Sequence, residues 1–413
     1  MILIRGARQL VTLRGPAPPR RGNQLSDVGI IPDGALLIDG ERIQQIGSTR
    51  RIENLAAARS ATTIDVTGKV VLPGFADSHT RLILASLPSD PMAAPGPVLP
   101  GGAPAPPLPS ARRPGSPKAL RNRAAIWAQL FAAHGTTALE VRSGLRLDLA
   151  AETKALRAAR ALDGNPLDVS CAFLAGGATP DEPARSEADV EQVVDVLLPV
   201  IGRRRLAAFC DVECGPEAFD ATQTRRILDA ARALGFGLRV QGDLSDSFGI
   251  ARLAVETGAA SAEHLQRVTG REIDLLAASA TIATLLPAWL MGRGAGGYAP
   301  ARQLVDRGAA IALATGFGPA SPTLSMPMVL SLACREMELS PEESITAATI
   351  NGAASMGLAE RLGSLEPGKQ ADLAVFDVRD YREIPYYFGF NLCVMTMKKG
   401  RVIYEAKAGA YSQ

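Results

Sequence analysis

The chain has 413 residues, of which 47% are hydrophobic and 21% are charged; its 44 Lys and Arg against 42 Asp and Glu leave a formal net charge of +2. At about 100–200 residues per domain, this length predicts two or three domains, or one large barrel with an accessory unit. No basic excess of the kind that nucleic-acid binding demands is present. Apolar stretches such as Thr281–Met291 are interrupted by Pro or Gly before the ~18 residues that a membrane-spanning helix needs. We therefore expect a soluble protein that binds neither nucleic acid nor membrane.

The first residues and the cysteines indicate the compartment. The apolar run Met1–Arg5 is too short for a secretory signal, so we expect a cytoplasmic protein. The cysteines are odd in number and lack the spacing of a disulfide framework, which favours reduced, buried thiols: Cys171, Cys210, Cys214, Cys334 and Cys393. Only 3 histidines are present, which limits both metal ligation and acid–base chemistry near neutral pH.

Residues 1–70 have the pattern of short strands joined by turns. Asp39-Gly40 separates two apolar runs, which is the typical sequence of a β-hairpin. A second turn is predicted at Thr67-Gly68-Lys69.

The segment from Pro88 to Pro117 holds more than a third of the chain's 29 prolines. Proline excludes helix interiors and central strands, so this segment is expected to be an extended insertion or loop. It is either a tolerated surface insertion or a functional lid or docking arm.

The middle of the chain, about residues 120–360, alternates helical patterns with short apolar strands. This alternation predicts βαβ units and a parallel sheet, and the number of units fits a (β/α)₈ barrel. Ser340-Pro341 followed by Glu343 predicts the capped start of a helix. The predicted strands are Thr137–Val141, Val169–Leu174, Leu206–Val212, Leu238–Gln241, Ala260–Glu263, Thr281–Leu286 and Ala310–Ala314.

The carboxyl-terminal region returns to β patterns, with a turn at Lys399-Gly400. Two β-rich ends around a different middle predict one small composite β-sandwich built from residues 1–72 and 361–413. The barrel is then expected to span residues 73–360, with the proline-rich insertion at 88–117.

A motif follows the last of the amino-terminal strands. Pro73-Gly74-Phe75, then Asp77 and His79, resembles the amidohydrolase superfamily, whose pattern is Pro-Gly-Phe followed by Asp and a His-x-His pair. Residues two apart on a strand share a face, so the two histidines of that pair can bind one metal ion together.

Further motifs are similar to those of the imidazolonepropionases. They cover about residues 65–404 and include His134–Gly144, Leu285–Pro287, Tyr298–Arg302, Ser321–Pro327, Ala347–Asn351, Gly363–Leu373 and Asp380–Asn391. The resemblance implies an α/β fold, a distorted TIM barrel with a β-sandwich. It also implies hydrolysis of a cyclic amide or amidine C–N bond in histidine breakdown, with one Zn or Fe ion as cofactor.

Most of the ligand positions implied by the resemblance hold other residues in this chain. His79 remains as the first ligand, whereas Arg81 occupies the second position, Gln241 the third and Gly316 the fourth. A guanidinium has no lone pair to donate to a cation. We therefore expect that His79 is a remnant and that no metal cofactor binds. A partner carboxylate or an anionic ligand is expected to neutralise Arg81.

Other functional positions of the family are partly retained. The resemblance places His264 beside the metal and assigns Ser143 and Ser321 to the pocket, while Gly177 replaces an active-site histidine. The candidate catalytic residues are His264 and Asp243.

Two functions remain open from the sequence. In the first, the chain is a catalytically inactive or changed relative that binds a small molecule or a protein partner through the pocket formed by Arg81, Ser143, Gln241 and Ser321. In the second, it is an active hydrolase of cyclic C–N bonds with a rebuilt or metal-free site. The resemblance also implies a possible homodimer.

Overall fold

The computed structural model describes residues 1–84, 117–144, 147–177, 185–244, 246–293, 297–319, 321 and 323–406. The predicted proline-rich loop lies, up to residue 116, outside the described residues. The strands are β1 (Ile2–Val11), β2 (Ile30–Asp39), β3 (Arg42–Ser48), β4 (Thr62–Asp65), β5 (Val70–Pro73), β6 (Phe75–Thr80), β7 (Thr136–Arg142), β8 (Asp168–Ala175), β9 (Phe209–Cys214), β10 (Gly237–Gly242), β11 (Ser261–His264), β12 (Ile282–Leu285), β13 (Ile311–Leu313), β14 (Leu373–Phe376), β15 (Cys393–Lys398) and β16 (Arg401–Glu405).

Strands β6 to β13 form an eight-stranded parallel sheet in sequence order. The edges meet where Thr80 forms a bridge with Phe317, and the Arg81 amide donates to the Phe317 carbonyl oxygen at 2.6 Å. This is the nearly closed barrel that the alternating pattern predicts, and the seven predicted strands correspond to β7–β13. All eight strands end at the same mouth, where TIM barrels carry their functional side chains.

Helices cover the outside of the barrel, and several of them begin with a side chain that caps the first turn. Ser340 accepts a hydrogen bond from the Glu343 amide, which confirms the predicted capping box. The helices are α1 (Thr49–Glu53), α2 (Pro117–Ala133), α3 (Leu149–Arg160), α4 (Glu187–Glu191), α5 (Leu198–Arg203), α6 (Ala221–Ala233), α7 (Ile250–Thr257), α8 (Gly270–Ala277), α9 (Pro287–Arg293), α10 (Ala301–Asp306), α11 (Met326–Glu336), α12 (Pro341–Ala348), α13 (Ile350–Ser355) and α14 (Glu383–Tyr386), with a π-helical segment Gln192–Leu197 between α4 and α5.

The two ends of the chain build the second sheet together. Its order is β16-β15-β14-β5-β1-β2-β3, with β4 paired to β1, and it mixes parallel and antiparallel pairs. The predicted hairpins at Gly40 and Gly400 are the β2–β3 and β15–β16 connections. The sheet encloses its own apolar core, which includes Ile4, Leu36 and Met397. The composite β unit is therefore present.

The five cysteines are free, and Cys334 is the one that is not fully buried. Within the described ranges, no helix has the length and apolarity required to cross a bilayer.

Candidate functional site at the barrel mouth

His79 lies near the carboxyl end of β6, with only 3% of its side chain exposed. Its Nδ1 atom forms a short hydrogen bond with the Glu263 carboxylate, which comes from β11. Burial, together with the nearby Arg142 cation, holds the pKa of His79 well below its usual value. The ring is therefore neutral at pH 7, with Nδ1 as the donor and a lone pair on Nε2.

Arg142, at the end of β7, joins the carboxylates beneath His79. Its Nε donates to Asp211 at 2.6 Å and one Nη donates to Glu263 at 2.6 Å, while Glu140 lies 3.2 Å away. All four side chains are fully buried. Burial alone would lower the pKa of Arg142, but the three carboxylates outweigh burial and raise it. This guanidinium thus stays charged and is saturated with carboxylate partners.

A second buried cation, Arg239 of β10, completes the network. It donates to Glu140 at 2.5 Å, to the Ser261 hydroxyl at 2.7 Å and to the Ser355 carbonyl at 2.8 Å. The Ser261 hydroxyl in turn donates to Glu263 at 2.8 Å. The interior of the barrel is therefore held by ion pairs that link β7, β9, β10 and β11.

The remaining inward carboxylate, Asp77, lies two residues before His79 and accepts hydrogen bonds from the Thr315 hydroxyl at 2.5 Å and the Thr315 amide at 3.1 Å. Burial raises the pKa of Asp77 to about 6. Its bonds attach β6 to the chain that follows β13, where the barrel closes.

The structure brings the four ligand positions of the family together at the mouth. The Gly316 amide donates to the His79 carbonyl oxygen at 3.1 Å, and Arg81 follows on the same strand end. Gln241, at the end of β10, donates through Nε2 to Asp211 at 3.0 Å.

Arg81 holds a positive charge at this mouth. One of its Nη atoms lies 3.6 Å from an oxygen of Glu213, and the two side chains are 28% and 23% exposed. The sequence predicts either a partner carboxylate or an anionic ligand at Arg81, and Glu213 places a carboxylate there. The distance exceeds that of a hydrogen bond, so the pair is held by charge alone.

Gly316 has no side chain to ligate a metal, and the backbone conformation and space at this position also favour glycine. Its φ is +64°, in the left-handed region, and an added Cβ would lie 2.9 Å from the Leu286 Cδ2 atom. An aspartate here would therefore require movement of Leu286 and a strained backbone.

His264 lies at the end of β11 with a φ of +75°. Its ring packs edge-on against Trp289 at 4.7 Å and faces His79 at 5.9 Å, measured between ring centroids. Burial holds the pKa of His264 well below its usual value, and its buried Nδ1 has no hydrogen-bond partner among the described residues. The positive φ, rare for a residue with a side chain, orients this neutral ring into the mouth.

Asp243 follows β10, also with a positive φ, of +55°. One carboxylate oxygen accepts from the Phe248 amide at 2.6 Å, which organises the loop leading into α7. The other is buried without a partner within the described ranges, and burial raises the pKa of Asp243 to about 6.

The two candidate serines bond to the backbone. The Ser143 hydroxyl accepts from the Leu174 amide at 3.4 Å, and the Ser321 hydroxyl donates to the Thr315 carbonyl at 3.1 Å. Both side chains are buried and hold strand ends in place.

The sequence reasoning did not identify the ionic network. A signal was available, because five of the barrel strands carry polar residues two positions apart, and such residues share a face. The pairs are Asp77 and His79, Glu140 and Arg142, Asp211 and Glu213, Arg239 and Gln241, and Ser261 and Glu263.

The donor set does not fit the zinc or iron that the resemblance implies. A tetrahedral site needs three or four good donors, whereas Arg81 offers a cation and Gly316 offers no side chain. Across the part of the chain that the structure describes, no group of three or more His, Cys, Asp or Glu is arranged to hold a metal ion.

The comparisons with known proteins agree with this fold. Residues 70–403 match the model of the amidohydrolase family. Among solved structures, a triazine hydrolase variant has a TM-score of 0.76 at 18% identity, with 100% of this chain and 96% of that chain covered. The guanine deaminase of E. coli has a TM-score of 0.74 at 17% identity, with 98% and 100% covered. The chain belongs to the amidohydrolase family.

Full-length relatives narrow the assignment within that family. The imidazolonepropionase of Geobacillus kaustophilus is 38% identical over 417 residues, which cover 97% of each chain. That of Solibacter usitatus is 38% identical over 412 residues, with 97% and 98% covered. The chain is thus an imidazolonepropionase-like amidohydrolase.

Proposed function

We propose that this chain is a metal-independent relative of the imidazolonepropionases that no longer performs their metal-dependent hydrolysis and instead binds a small molecule at the barrel mouth. The observation that carries the proposal is the guanidinium of Arg81 at a metal-ligand position, with glycine at the position of the ligand carboxylate.

The chemistry of water supports the loss of hydrolysis. A bound metal lowers the pKa of its water from ~15.7 to about 7, which supplies hydroxide at neutral pH. A guanidinium offers no coordination site for water and no electron-pair acceptor. The neutral ring of His79 can accept a hydrogen bond, but it replaces none of that effect.

Two unpaired groups support binding. The His264 Nδ1 and one Asp243 oxygen are buried without a partner among the described residues. Each such group costs about 1–3 kcal/mol, and a ligand that forms hydrogen bonds with it recovers that energy. A small molecule with both donor and acceptor atoms fits this arrangement.

The test combines elemental analysis of the purified protein with an assay of imidazolone ring opening at neutral pH, with the Geobacillus kaustophilus relative as the positive control. We expect less than stoichiometric zinc and iron, and no turnover with or without added metal. Stoichiometric metal together with turnover would refute the proposal.

The second candidate is a metal-free hydrolase of a cyclic C–N bond, which the hydrogen bond between Glu263 and His79 favours because it orients a neutral imidazole as a base. This function requires turnover that survives a chelator and is lost in His79→Asn. Turnover that the chelator abolishes would exclude it.

A further inference from the structure

The side chain of Arg81 stands apart from the other cations inside the barrel. Arg142 and Arg239 each donate several short hydrogen bonds to carboxylates and hydroxyls or carbonyls. The Arg81 side chain is largely buried, with 28% of it exposed. It forms an ion pair with Glu213 at 3.6 Å. Within the described residues, its guanidinium makes no hydrogen bond.

Such a guanidinium has unused donors. It carries five N–H groups in a planar fork that matches a carboxylate with two parallel hydrogen bonds. Burying these donors without acceptors is unfavourable. Binding of an acceptor at the mouth therefore lowers the free energy.

The side chains around Arg81 include few negative charges that would repel a bound anion. Gln241 is an amide, and Gly316 has no side chain. The carboxylates deeper in the barrel, Asp211 and Glu263, are bound to Arg142. Among the described residues, Glu213 is the acidic side chain that forms an ion pair with Arg81.

We propose that the position of the family's metal cation has become an anion site, in which Arg81 binds the carboxylate of a small molecule with two hydrogen bonds and Glu213 is the resident competitor. This inference rests on the proposed function and specifies its ligand class. The buried His264 Nδ1 provides a further hydrogen-bonding atom at the same mouth.

The test is calorimetric titration of the full chain at low, constant ionic strength with propionate and with its neutral isostere propionamide. We expect propionate to bind and propionamide to bind at least about tenfold more weakly, because a charge-assisted pair of hydrogen bonds is lost. Arg81→Gln is expected to weaken propionate binding about 10–100-fold. Glu213→Gln is expected to tighten it several-fold, because the competing carboxylate is removed.

The matched control is Arg225→Gln, which removes an exposed guanidinium from the surface pair with Glu256 and should leave binding unchanged. Thermal melting verifies that each variant folds. If Arg81→Gln does not fold, Arg81→Lys keeps the positive charge without the planar guanidinium and should bind propionate more weakly than Arg81 does but more tightly than a neutral side chain would. Equal binding of propionate and propionamide, no propionate binding, unchanged binding in the Arg81 variant, or weaker binding in Glu213→Gln would each overturn the anion site. Metal and turnover in the assay above would refute the proposed function instead, whatever the titration gives.

Discussion

Replacing Arg142 with methionine removes the guanidinium that joins Asp211 and Glu263 beneath His79. The side chain donates hydrogen bonds of 2.6 Å to each carboxylate and one of 3.0 Å to the Ser78 carbonyl. Hydrogen bonds to charged groups contribute about 1.5–3 kcal/mol each, so three of them represent a gross loss of about 4–9 kcal/mol. Proton uptake by Asp211, whose pKa burial raises, relieves part of that loss. Breaking a buried pair costs about 3–5 kcal/mol net.

We expect Arg142→Met to lower the free energy of unfolding by about 3–5 kcal/mol at pH 7, measured by urea denaturation followed by circular dichroism. The loss should shrink toward pH 5. Burial already raises the pKa of Asp211 although Arg142 opposes this, and without the guanidinium that pKa rises further, so the folded variant binds protons more readily than the unfolded chain and its stability falls as the pH rises. Arg225→Gln, on the exposed surface, should cost at most about 1 kcal/mol. A loss under about 1 kcal/mol for Arg142→Met, or one independent of pH, would refute the assignment of a buried ionic network.

Two further changes test the site. Asp243→Asn should raise the free energy of unfolding at pH 7 by roughly 1–2 kcal/mol and flatten its pH dependence between about pH 4 and 6. The reason is that the raised pKa of about 6 makes the folded state favour the protonated acid. A urea midpoint that responds to pH as in the unmodified chain would contradict this prediction. Arg81→His, Gln241→His and Gly316→Asp together introduce the three missing ligands and should restore metal binding if the barrel geometry is intact, but the Cβ at 316 would lie 2.9 Å from the Leu286 Cδ2 atom. Zinc titration should therefore show tighter binding when Leu286→Ala is added to the triple variant, and equal affinities with and without it would show that the backbone at 316 sets the limit.

The helix–strand alternation was sufficient to predict the barrel, since it specifies βαβ units whatever the loops do. Asp39-Gly40 and Lys399-Gly400 likewise specified hairpins because their turns require glycine. Local patterns alone do not specify which strands pair with those hairpins. β1 pairs with β2, β4 and β5, and such long-range pairing depends on how distant segments pack.

The site was predictable where a residue's own chemistry decides the matter. A guanidinium cannot ligate a cation and a glycine has no ligand atom, so Arg81 and Gly316 argued against the family's metal centre directly from the sequence. Their surroundings were not predictable in the same way. Glu213 is 132 positions from Arg81 in the chain, and the two meet only because β6 and β9 end at the same mouth.

The sequence by itself determined the fold class, the family resemblance and the replacement of the metal ligands, because periodicity, turn chemistry and side-chain identity are local properties. Tertiary structure alone decided that Arg142 and Arg239 form ion pairs with three buried carboxylates, that Glu263 orients His79, and that Arg81 faces Glu213 at 3.6 Å. Coulomb energy and desolvation depend on distance and burial. Closing the barrel sets both, since it brings strand ends from different parts of the chain together at one mouth.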